Sequence, residues 1–85
     1  MNNESYQAVC EAAINTAHHF RLGYEGEANA QLVRLIDDVI VTAESLTVEE
    51  QLELQKLCES IFISQQRSDF ILIADILEYQ LTKLF

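Results

Sequence analysis

The stretch that decides the fold is SDFILIADILEYQLTKLF, residues 68–85. Its apolar residues fall at helical spacing but on two sides. At 100° per residue Phe70, Ala74, Leu77, Leu81 and Leu84 share one face, and Leu72, Ile76 and Tyr79 share another. Only Asp75, Glu78 and Thr82 make a continuous polar strip. A helix apolar nearly all round is normally buried, so other helices, or a second copy of the chain, must cover it.

Working outward, the rest of the chain supplies those helices. The sequence has no proline and only two glycines, Gly23 and Gly26, too few for the turns of an all-β domain. The spacing predicts one all-α domain over residues 1–85, a small four-helix bundle with helices at about 4–22, 27–45, 48–65 and 69–84. In the first, Tyr6, Val9, Cys10, Ala13, Ala17 and Phe20 share a face, with Asn3 as N-cap and Gly23 just past the end. The segment GYEGE, residues 23–27, is the turn into the second. That helix carries a stripe of Leu32, Val33, Ile36, Val39, Ile40 and Ala43. Thr47 with Glu50 three residues later reads as a capping box for the third, which buries Leu54, Leu57, Cys58 and Ile61. Leu52 and Ile63 lie on its back, with Val48 nearby. The polar stretch SQQRSD predicts a closed turn, because one uninterrupted helix could not fold back to bury itself.

The segment DFILIADILEYQL, residues 69–81, resembles small all-helical bacterial proteins that end in D-[FY]-[VI]-L-[LI]-A-D-[LI]-L-E-Y-E-L. FRLGYEGEANAQLVRLID, residues 20–37, is similar to the upstream part of the same pattern. Some such proteins are found with motility genes. The resemblance implies a helix start at Asp69 and a surface feature made by Asp75, Glu78 and Tyr79; Gln80 stands where an acid is usual. It brings no activity with it.

Eighty-five residues carry fourteen acids and five bases, a net charge of −9. Phosphate contacts need Lys and Arg, so nucleic acid and anionic membrane surfaces are excluded as partners. A basic protein is favoured, since complementary charge steers encounter. No leader and no membrane span is expected, which points to the cytoplasm. Cys10 and Cys58 both fall on apolar stripes and are expected to be reduced.

No catalytic constellation is legible. His18 and His19 are adjacent and diverge by about 100°, and neither HExxH nor ExxH occurs, so no metal site is expected. Asp75 and Glu78, one turn apart, read as solubilising groups or as a salt bridge to a basic side chain. There is no phosphate loop and no cofactor signature. An enzyme is not expected.

The distinctive charge feature is a window between Leu35 and Gln55 with no Lys or Arg. It holds Asp37, Asp38, Glu44, Glu49, Glu50 and Glu53, expected to gather at one end of the bundle beside Val41, Leu46, Val48 and Leu52. The first expectation is a non-catalytic binding module, in its sharpest form an immunity or inhibitor protein that caps a basic toxin such as a nuclease. The alternative is a small helical adaptor, an export chaperone or a homo-oligomeric structural protein. That alternative binds through Leu72, Ile76 and Tyr79, and a homodimer through the same face stays open.

Overall fold

The computed structural model describes residues 3–85, and for side chains residues 4–85. Four helical segments fold into an all-α bundle of 35 × 22 × 19 Å. The first, α1, spans Asn3–Arg21, and the side chain of the expected cap, Asn3, lies outside the described residues. Its end is a Schellman motif. Gly23, at φ 84°, donates to Phe20 O at 3.2 Å, and Tyr24 N–H donates to His19 O at 2.9 Å. The left-handed position falls on a glycine, where it costs least. The Tyr24 ring then packs on His19, with centroids 5.9 Å apart.

The second helix, α2, spans Glu25–Thr42 and continues as a 3₁₀ turn over Ala43–Ser45. It begins two residues earlier than the glycines suggest, and Gly26 lies inside its first turn. The third, α3, spans Val48–Gln66. Its capping box is complete: Glu50 N–H donates to Thr47 Oγ1 at 3.1 Å, and Thr47 N–H donates to the Glu50 carboxylate at 3.0 Å.

The turn after α3 is closed by the same motif as the first. Ser68 N–H donates to Gln65 O at 3.0 Å and Asp69 N–H to Ser64 O at 2.8 Å, with Ser68 left-handed at φ 56°. Asp69 then caps the last helix, accepting from Leu72 N–H at 3.2 Å.

The last helix, α4, changes pitch along its length. It is α-helical over Phe70–Asp75, π over Ile76–Gln80 and 3₁₀ over Leu81–Lys83. The physical reason is in the sequence. At 100° per residue Gln80 would lie only about 20° from Ile73, on the core side. The wider π turn carries an extra residue, so Gln80 stays exposed and Leu81 takes the core position at 2% exposure. The tighter 3₁₀ turn then brings Leu84, partly buried, back onto the side of Leu81.

The core gathers residues from all four helices, among them Val9, Ala13, Ala17 and Phe20, Leu32, Leu35 and Val39, Leu54, Leu57 and Ile61, and Ile73, Ala74, Ile76, Leu77 and Leu81. The C-terminal helix packs against α1 and α3, and α1 also packs against α2. The alanines Ala13, Ala17, Ala28 and Ala74, all fully buried, leave room for close backbone approach. Phe20 stacks on Phe70 at 5.6 Å and Tyr6 meets Phe85 edge-on at 5.5 Å, which sets α1 antiparallel to α4. The helices α2 and α3 stand further apart than these pairs.

Two expected faces are corrected by this packing. On α2 the buried set is Ala28, Leu32, Leu35 and Val39, while Val33 and Ile40 are exposed. The helix is turned toward α1, so its buried stripe lies to one side of the expected centre. On α4 Ile76 is buried at 3% exposure, so it is part of the core and not the middle of an outward face. Leu72 and Tyr79 remain exposed on either side of it.

Candidate functional site

Three features of the surface carry side chains with chemistry to offer. The first is a clasp between the end of α1 and α4. Arg21 donates to Asp75 at 2.9 Å through one guanidinium nitrogen and to Glu78 through another. The same guanidinium lies 5.7 Å from the centre of the Tyr79 ring. Hydrogen bonds from Glu78, then from Asp75, hold the Arg21 pKa above its ordinary value. The polar strip of α4 is therefore engaged within the chain, as a salt bridge to a basic side chain. The surface formed by Leu72, Ile76 and Tyr79 is not a continuous apolar face, because Ile76 is internal and Tyr79 sits under Arg21.

The second feature is the set of two cysteines and two histidines. Both thiols are free. Burial pushes the Cys10 thiol up, with Glu11 adding to the effect, and burial alone pushes up Cys58. Each thiol therefore stays protonated at neutral pH and is a poor nucleophile. Cys10 points its sulfur at Thr82 O, 3.7 Å away. His19 shares a hydrogen bond of 2.8 Å with Gln31, and His18 is exposed. Among the described residues no group of three or more His, Cys, Asp and Glu is placed to hold a metal ion. No helix among them is long and apolar enough to cross a membrane.

The third feature is the α2–α3 hairpin with its acidic window. Asp37, Asp38, Glu44, Glu49 and Glu53 are exposed, and Glu50 is half-buried and committed to the capping box. All six lie in one hairpin, but they do not face one way. Asp38 borders two depressions between α1 and α2, one with Ala8 and Val41, the other with Asn15 and Arg34. Asp37 and Glu44 lie on the other side of α2 and border the gap to α3. Glu49 and Glu53 stand on the first turns of α3, away from that gap by helical geometry.

The gap between α2 and α3 is a groove that sequence reading missed. Beside the Gln65–Asn29 end, Leu32, Val33 and Ile36 of α2 and Phe62 of α3 line an open cavity of about 210 Å³ with Asp37 and Gln65. Toward the connecting turn, Ile40, Ala43, Glu44, Gln51 and Gln55 line a second, of about 460 Å³. Side-chain bonds close both ends. Gln65 donates to Asn29 at 3.1 Å, and Gln51 donates to the carbonyls of Ala43 at 3.0 Å and Leu46 at 3.3 Å. Exposures of 63% at Val33, 61% at Ile40 and 51% at Phe62 leave its apolar walls open to water. The available signal was the polar run of Gln51, Gln55 and Gln65 along one side of α3, facing an apolar side of α2.

The chain matches no family model, no curated protein and no solved structure.

Proposed function

We propose that the protein is a non-catalytic binding module for a basic protein, and in its sharpest form an inhibitor that neutralises a basic toxin such as a nuclease. The observation that carries this reading is the composition of the α2–α3 hairpin surface. It has no base between Leu35 and Gln55, five exposed acids, and the exposed apolar side chains Ile40, Val41, Val48 and Leu52 among them. Apolar anchors ringed by charge suit a protein interface, and a strong single-sign field raises the association rate with a partner of opposite sign. Against a nuclease, the carboxylates would occupy the cationic surface that otherwise holds phosphates.

The test is capture of the protein from its native cells at low salt, followed by elution with salt. A basic protein that leaves the column as salt rises is the expected result. A chain carrying Asp37→Asn, Asp38→Asn, Glu44→Gln, Glu49→Gln and Glu53→Gln should fail to retain it. Unchanged retention and unchanged salt dependence with that variant would overturn the reading.

A further inference from the structure

We infer that the groove between α2 and α3 receives an amphipathic helix of the partner, apolar on one face and lined with Lys or Arg on its flanks. The inference rests on the reading of the protein as a binding module for a basic partner, and it assigns the face that does the binding. Between the closing bonds at Asn29 and Ala43, two successive depressions flank about fourteen residues of α2, or roughly 20 Å at 1.5 Å per residue. That length fits four turns of helix. Its walls offer Val33 and Ile40 from α2 and Phe62 from α3, all exposed, to apolar side chains spaced at i, i+3 or i+4, and i+7.

The rim fixes the sign of the occupant. Asp37 and Glu44 border the two cavities on the α2 side, and Glu59, exposed, stands one turn from both Gln55 and Phe62 on α3. No Lys or Arg lines either cavity. A second copy of this chain is a poor occupant. Two chains of net charge −9 would meet with Asp37, Glu44 and Glu59 of one set against the same residues of the other. A nucleic acid has the wrong sign as well. A basic helix satisfies both the apolar walls and the acidic rim. Its lysines can keep their stems on the apolar walls and their ammonium groups at the carboxylates.

The probe is a designed peptide helix with leucines at i, i+3, i+4 and i+7 and lysines on its flanks, titrated against the intact chain by fluorescence anisotropy. Its twin carries glutamates in place of the lysines. The lysine peptide should bind and shift the amide resonances of Val33, Ile40 and Phe62, and the glutamate twin should not bind. Val33→Lys, at an exposed site, should weaken binding by about tenfold or more while leaving the circular dichroism unchanged. Binding that Val33→Lys leaves unaltered, or equal binding of the twin, overturns the groove assignment. So does concentration-dependent dimerisation that Val33→Lys abolishes. If neither peptide binds while a basic partner is still captured at low salt and lost with the acid-neutralised chain, the groove fails and the broader reading stands. Loss of both results sinks both.

Discussion

The two sides of the bundle are built on different terms. Where α1 meets α4 the seam is filled: Phe20 on Phe70 at one end, Tyr6 against Phe85 at the other, and the Arg21 clasp beside them. Where α2 faces α3 the contact is two sets of side-chain amide bonds with cavities between, and apolar side chains stand open along it. A small domain has little apolar area to spare for stability; Leu22, Ile71 and Leu72 are exposed on the α1–α4 side as Val33, Ile40 and Phe62 are on the other, but the latter three line an open gap between two helices. The difference separates residues that hold the fold from residues that do not.

The sharpest way to break that comparison is a matched pair of truncations. Leu77 is fully buried in α4, and Leu77→Ala should cost about 3 kcal/mol, a large share of the 5–15 kcal/mol typical of a whole domain. Val33→Ser on the open side should change stability by no more than about 0.5 kcal/mol. Denaturant midpoints measure both. A comparable loss from Val33→Ser would mean that the α2–α3 side is core after all.

The clasp should have the next largest effect. Arg21 and Glu78 are 28% and 24% exposed, so their pair is less screened than a surface ion pair, while Asp75 at 49% contributes less. Arg21→Ala should lower stability by about 1–2 kcal/mol, part of it from leaving two carboxylates one turn apart. A double-mutant cycle with Glu78→Gln isolates the direct term. A coupling indistinguishable from zero would reduce the clasp to a surface contact of no energetic weight, and would leave the aromatic pairs as the seam's fastening.

Much of this architecture was legible in the chain. The capping box at Thr47 and Glu50, the glycine stop at Gly23 and the break before Asp69 follow from local chemistry that acts within a few residues. The faces were less legible, because periodicity shows that a helix has an apolar side without showing which neighbour it meets. On α2 apolar residues from Leu32 to Ala43 cover a broad arc, and packing onto α1 chose Leu35 over Val33 and Ile40. On α4 the buried arc is broad, because the helix packs against both α1 and α3, and it takes in Ile73 and Ile76 beyond the expected stripe. The acids were found, but their division between the two sides of α2 depends on the same rotation. The groove itself arises from how far apart α2 and α3 stand, a property of the whole assembly.

The smallest effects lie at the two turns that end α1 and α3, which share one hydrogen-bond pattern but differ in residue. Gly23 holds its left-handed position without a side chain, and a Cβ added there would meet nothing within 4 Å. Gly23→Ala should therefore cost about 1 kcal/mol through backbone strain alone. Ser68 holds the equivalent position at φ 56° with a side chain. Ser68→Gly relieves that strain but frees the unfolded chain, so the net gain should be only about 0.5 kcal/mol. Thermal or denaturant unfolding of the two variants would show opposite signs. If Ser68→Gly instead destabilised the fold, the serine would be contributing to the α3–α4 turn beyond its backbone. The packed side of the molecule would then owe part of its stability to that turn as well as to the aromatic seam.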